Sequence, residues 1–305
     1  MISFLRKNPS YLGGLMVFVC GILWGTIGPF IRTLSECGSS VYLTSFLRMA
    51  LGTAILAAFA LFRYGKHAFR IDRKTLLYCV PLGFIGMGVN CICYSISVET
   101  AGVSVAAVLF NIAPVATAVV SYFLFSERIG ALKALGLIVN IVGCTLAATG
   151  GNIDTSHLPI FGILCGLVSG LCYAVCIIIG KLSESSVNAT ILSCYSDFFG
   201  AGFIFFFLDA HDFATMGDPA VMGIGFLYAL IPTVIAYLLF YEGIARMKEL
   251  AVVPILASME TVVAVLLGIA FYGDILRLPH FVGIILVLTS IVLMNIKFGH
   301  SKISN

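Results

Sequence analysis

The chain of 305 residues is 60% hydrophobic and only 10% charged, with a formal net charge of +3. Soluble domains carry about 25% charged residues, and an apolar excess arranged in blocks cannot be hidden in one globular core. The composition points to a polytopic α-helical membrane protein, and with no basic patch interleaved with exposed aromatics it excludes nucleic acid as a partner.

Ten apolar blocks follow one another at 12–34, 41–62, 75–98, 103–124, 132–150, 160–182, 189–208, 220–244, 250–272 and 280–298. Each is near the roughly 20 residues that a spanning helix needs. The segment Met1–Ser10 carries Arg6 and Lys7 and leads into a block too long for the core of a cleaved signal, so it reads as the approach to a first helix. Connections are short, the longest cytoplasmic one being Arg63–Lys74.

Cationic residues set the orientation. With both termini in the cytoplasm, that side receives Arg6, Lys7, Arg63, Lys66, Arg70, Arg73, Lys74, Arg128, Lys133, Lys181, Arg246, Lys248, Lys297 and Lys302. The outer side receives only Arg32 and Arg277, and Arg48 lies within a span. This asymmetry predicts a multi-pass protein of the cytoplasmic membrane with cytoplasmic termini. The acidic loop holding Asp209, His211, Asp212 and Asp218 is then external.

An internal repeat decides the expected architecture. A gapless shift of 147 lays Asn90–Ala147 over Tyr237–Met294, pairing Tyr94 with Tyr241, Gly136 with Gly283 and Ile138 with Ile285. Glu127 falls on Asp274, and Pro114 falls beside Glu260; a shift of 149 lays Trp24-Gly25 over Tyr173-Ala174. Residues 1–152 and 153–305 then hold five spans each, and an odd number inverts the second half relative to the first. The expected fold is all-α, with ten transmembrane helices as two inverted five-helix repeats, an arrangement found in many secondary transporters. Gly21-x-x-x-Gly25 and Gly166-x-x-x-Gly170, extended by Gly162, mark faces for close packing or for sliding of one half on the other.

These features together resemble the EamA family of the drug/metabolite transporter superfamily. The resemblance rests on Trp24-Gly25, on Phe46-Leu-Arg48, on Asn111-Ile-Ala-Pro114 with Ser126-Glu127, and on Glu260-Thr-Val-Val with Gly273-Asp274. Thr261 stands where that family often has proline, and Asp274 where it often has glutamate. The resemblance implies a transporter of small metabolites with a central cavity between its halves.

Polar residues inside the spans are the candidate substrate contacts. Glu260 lies about ten residues, or roughly 15 Å, into the ninth block, half of a ~30 Å hydrocarbon layer. A carboxylate there costs at least ~2.5 kcal/mol and needs a cavity or a partner. Arg48, seven residues into the second block, either snorkels outward or offers an anion-recognising fork. Asp197 is read as pairing with a neighbouring helix or touching substrate. Trp24, Asn90, Tyr94, Asn111, Tyr173, Tyr237 and Tyr241 complete the set, while Pro114 and Pro232 are candidate kinks or hinges. Glu99 and Glu242 read as interfacial, and Glu127 and Asp274 as loop structure.

Enzymatic readings find no support. No phosphate-binding Gly-x-x-x-x-Gly-Lys motif exists, and His67, His157, His211, His280 and His300 all read as loop or tail residues. Nine of the ten cysteines sit in apolar blocks as packing residues, so neither a metal nor another cofactor is expected. The function expected is a secondary transporter of amino-acid-like, amine or other small polar compounds, read as an exporter, with protons as a candidate coupling ion. A passive channel and an intramembrane sensor are the alternatives.

Overall fold

The computed structural model of the chain describes residues 9–101, 103–127, 130–152, 159–273, 275 and 277–296. Arg6, Lys7, Arg128, Lys297, Lys302, His157, His300 and Asp274 lie outside the described residues, as does the side chain of Glu99. Every regular element among the described residues is helical. An apolar block in lipid has no water to satisfy its backbone, and a helix satisfies it internally. Polar residues cap the block ends: Ser40 Oγ accepts from Leu43 N at 3.0 Å, Asp72 Oδ1 from Thr75 N at 2.8 Å and Asn188 Oδ1 from Ile191 N at 3.1 Å.

The helices among the described residues fall into ten consecutive rods. The first is α1 (Pro9–Trp24) with α2 (Ile27–Glu36), and the second is α3 (Val41–Tyr64). The third runs from α4 (Arg73–Pro81) through a π-helical stretch, Leu82–Val89, into α5 (Asn90–Ala101). The fourth is α6 (Val103–Phe110) with α7 (Ala113–Phe125), and the fifth is α8 (Ala131–Thr149). The sixth is α9 (Ile160–Ser183) and the seventh α10 (Ala189–Phe205), followed by the short α11 (Ala210–Thr215). The eighth joins α12 (Pro219–Ala229), a second π-helical stretch, Leu230–Ile235, and α13 (Ala236–Arg246). The ninth is a 3₁₀ turn (Leu250–Val252), α14 (Val253–Ala257) and α15 (Met259–Tyr272); the tenth is α16 (Leu278–Ile296).

Eight rods are long and apolar enough to cross a membrane, while Ala189–Phe205 and Leu278–Met294 are shorter apolar helices. Two sequence expectations need correction. The first block is not one continuous helix: it breaks at Gly25-Thr26, where Thr26 Oγ donates to Leu23 O at 2.6 Å. His280 lies on the first turn of α16, inside the tenth rod rather than in a loop, while His67 and His211 lie in connections that are wound into short helical turns.

The irregular places obey the shift of 147. Leu82–Val89 maps onto the π-helical stretch Leu230–Ile235, the break at Asn111-Ile112 onto that at Ser258, and Ser126 onto Gly273. Both of these last residues end their helices in the left-handed region, at φ 54° and 69°.

Contacts between the halves follow the same rule. A β-carbon on Gly21 would lie 2.7 Å from the carbonyl oxygen of Ala257, and one on Gly170 would lie 2.7 Å from that of Phe110. The first rod therefore packs on the break of the ninth, and the sixth on the break of the fourth. Rods five and ten cross antiparallel: Gly136 meets Met294, while Gly283 meets Ala147 and Gly143. At the end of the fourth rod, Glu127 Oε2 accepts from Leu250 N at 2.9 Å, and Lys133 joins Glu127 (3.4 Å) to Glu249 (3.1 Å). Glu127 is thus a buried tie between the fourth and ninth rods, more than the loop residue expected.

Candidate substrate site

Arg48 is the charged centre of the bundle. Its side chain is 8% exposed, and its guanidinium donates through Nη2 to Tyr237 Oη at 3.1 Å and through Nη1 to Tyr228 Oη at 3.4 Å. Nε has no partner, and no ion pair to Arg48 exists among the described residues. The fork is directed inward to two tyrosines rather than outward to the interface.

Tyr228 was not a sequence candidate, and the reason is geometric. It precedes Tyr237 by nine residues, which at about 100° per residue in an α-helix puts the two on roughly opposite faces. The π-helical turns of Leu230–Ile235 each take in an extra residue, so both hydroxyls reach one guanidinium. Pro232 lies inside this stretch, and Pro114 sits at the second position of α7 just past the break of the fourth rod.

Aromatic rings build a wall beside Arg48. Trp24 packs against Phe240 (4.9 Å between centroids), Tyr237 (5.3 Å) and Tyr173 (5.9 Å). Phe110 stacks on Tyr173 at 5.3 Å and meets Tyr94 edge-on at 5.6 Å, while Tyr241 stacks on Tyr237 at 5.9 Å. Trp24 Nε1, Tyr173 Oη and Tyr241 Oη are buried without a hydrogen-bond partner. Phe110 and Phe240 also escaped the sequence reading, since nothing distinguishes them among 24 phenylalanines.

Glu260 occupies the first turn of α15, directly after the break at Ser258. Asn140 on α8 fixes that break: its Nδ2 donates to Ser258 Oγ at 2.7 Å and to Ser290 Oγ at 3.0 Å, and Ser258 Oγ donates to Ile255 O at 2.6 Å. The carbonyl of Glu260 lies against Gly25, next to Trp24, and its partly buried side chain is within electrostatic range of Arg48, Tyr94 and Tyr173. A carboxylate at the positive end of a half-helix is favourably placed.

The other candidates divide. Asn90 opens α5 directly after the first π-helical stretch, and Asn111 stands in the break of the fourth rod. Asp197 is fully buried where the second, seventh and eighth rods meet, against Gly52 and Thr233. The aromatic wall is continuous from ring to ring. Open space begins at its edge, in a cleft of about 360 Å³ lined by Ser183, Glu184, Asn188, Tyr241, Glu242 and Arg246. Glu242 there ion-pairs with Arg246. The ten cysteines are free. Asp209, His211 and Asp212 converge, but a capping box accounts for the two aspartates: Asp209 Oδ1 accepts from Asp212 N at 2.9 Å and Asp212 Oδ2 from Asp209 N at 3.2 Å.

The sequence model of the EamA-like transporter family matches residues 11–149 and again residues 160–296. The chain belongs to the EamA-like transporter family. Among its EamA-like relatives, an uncharacterized transporter of Archaeoglobus fulgidus is 28% identical over 283 residues, covering 92% of this chain and 95% of that one. The threonine/homoserine exporter RhtA of Salmonella typhimurium is 28% identical over 237 residues, covering 75% of this chain and 73% of its own. A crystal structure 15% identical in sequence superposes with a TM-score of 0.77 over 93% of this chain and 97% of that one, a likeness of fold. The EamA-like chain is accordingly a multi-pass membrane protein of the drug/metabolite transporter superfamily.

Proposed function

We propose that this EamA-like protein is a secondary carrier that exports amino-acid-like zwitterions or small amines across the cytoplasmic membrane by alternating access. The observation that carries this reading is the placing of Arg48 and Glu260 around one aromatic wall. A guanidinium suits a substrate carboxylate, a carboxylate suits an ammonium group, and the rings of Trp24, Tyr173 and Tyr237 suit an apolar side group or a cation. The exporter role of the Salmonella relative favours this substrate class.

Two inverted halves, 1–152 and 153–305, supply the motion in this reading. The reciprocal contacts of Gly21 with Ala257 and Gly170 with Phe110, and the antiparallel crossing of rods five and ten, are what a two-fold axis in the membrane plane would produce. All ten rods then cross the membrane, the two shorter ones included, and the cationic loops put both termini in the cytoplasm. The cleft floored by Tyr241 lies at the cytoplasmic end and is the approach to the site.

Counterflow tests this proposal. Purified protein in liposomes preloaded with unlabelled L-threonine, L-homoserine or a small amine should accelerate uptake of the labelled compound. Flux that unlabelled compound inside does not accelerate would identify a channel, and the absence of flux for every compound would refute the substrate class.

A further inference from the structure

Asp197 stands at the middle of α10 with 0% exposure, and neither carboxyl oxygen has a hydrogen-bond partner. Oδ2 lies 3.2 Å from where a β-carbon on Gly52 would stand, and the Thr233 methyl lies 3.3 Å from the same point. The Thr233 hydroxyl is already engaged, donating to Tyr228 O at 3.3 Å across the π-helical stretch. A buried carboxylate that accepts no hydrogen bond is costly to ionise, so such a group carries a proton or is balanced by a cation.

The titratable groups facing Asp197 are Arg48 on α3, Cys91 on α5, Cys194 on its own helix, and Tyr237 and Tyr241 on α13. Only Arg48 can balance a negative charge. Arg48 is one helical turn from Gly52, and Tyr237 one turn from Thr233, so Asp197 adjoins the guanidinium group without hydrogen-bonding to it. Glu260 is within electrostatic range of the same guanidinium. One cation thus serves two carboxyls, and it can balance one of them at a time.

We infer that Asp197 is a proton-binding site separate from the substrate contacts, filled when Arg48 balances Glu260 or a substrate carboxylate and emptied when Glu260 is neutralised by the ammonium group of a substrate amine that brings no carboxylate of its own. On release, the Asp197 O–H bond breaks and the proton passes to water on the side to which the carrier is open. The remaining carboxylate is balanced by Arg48. Binding of a cationic group and of a proton are thereby mutually exclusive, which couples export of the one to import of the other. The coupling rests on the proposed role of Glu260; the proton on Asp197 does not.

Infrared spectroscopy of the full chain in lipid nanodiscs reads that proton with no substrate present. The parent should show a protonated-carboxyl C=O stretch near neutral pH that Asp197→Asn removes. Gly52→Ala, which presses a methyl on Oδ2, should shift it even if the Asn variant fails to fold. Glu260→Gln stands in for a neutralised Glu260, and should weaken proton binding at Asp197 at least about tenfold, moving loss of the band to lower pH. A parent without the band, a band removed by Glu260→Gln but untouched by Gly52→Ala, or a band abolished by sodium in place of potassium would overturn the proton site. An unchanged titration in Glu260→Gln would overturn the coupling and leave the proton site standing. Lack of amino-acid exchange in liposomes would strike the proposed substrate class alone.

Discussion

The fourth and ninth rods share a backbone and differ in chemistry. Both break at positions related by the shift of 147, both end in a left-handed residue, and each packs its break against a glycine of the other half. Yet half of the most apolar window of Leu250–Tyr272 is buried, against 28% for Val105–Phe125. The position of Glu260 is held in the fourth rod by Ala113. The architecture is repeated; the site is not. Both rods are broken, the ninth alone carries a carboxylate beside its break, and Trp24 and Arg48 come from the first and second rods. In the proposed carrier, a site on a pseudo-two-fold axis would need this asymmetry, because a zwitterion presents different groups at its two ends.

Substitutions can break that division of labour. The largest effect should come from Arg48→Met, which leaves the carboxyls of Asp197 and Glu260 and two tyrosine hydroxyls without their cation. Exchange should vanish, and stability in detergent should fall by roughly 3 kcal/mol; Arg48→Lys should not restore exchange, because an ammonium group lacks the fork that reaches both hydroxyls. The glycine mates should then differ. Gly283→Ala drives a methyl into the backbone of Ala147 and Gly143, whereas Gly136→Ala meets only the tip of Met294. We expect a loss of about 2 kcal/mol at 283 and less than half of that at 136, measured by thermal unfolding.

Tyr237→Phe removes the closer of the two acceptors on Arg48 and should slow exchange about tenfold with the protein still folded. The smallest effect belongs to the left-handed caps. Ser126→Gly should raise stability by about 0.5–1 kcal/mol, and Gly273→Ala should lower it by about 1 kcal/mol. Equal and opposite outcomes at these two positions would confirm that they are equivalent turns.

Much of this was legible in the sequence because lipid imposes it. Blocks near 20 residues become rods, and the few polar residues inside them are conspicuous: Arg48, Glu260 and the tyrosines other than Tyr228 were singled out that way. The break near Pro114 was signalled by the proline. The break at Ser258 was not, since Thr261 replaces the proline expected there and the hydrogen bonds of Asn140, on a rod distant in sequence, fix the turn. Tyr228 was hidden because α-helical periodicity places it on the wrong face until the π-helical stretch is known. Phe110 and Phe240 were lost among their kind. The isolation of Asp197 is a property of three converging rods, and no single stretch of sequence reports it.

The central claim is that Glu260, set at a helix break against Arg48 and the aromatic wall, holds the cationic end of the substrate. Counterflow by Glu260→Gln, with the labelled amino acid that the parent exchanges, tests it most directly. The substitution keeps shape and hydrogen bonding while removing charge. The account predicts a folded protein whose exchange falls more than ~100-fold across roughly pH 5–8. Exchange equal to that of the parent over the same range would contradict it.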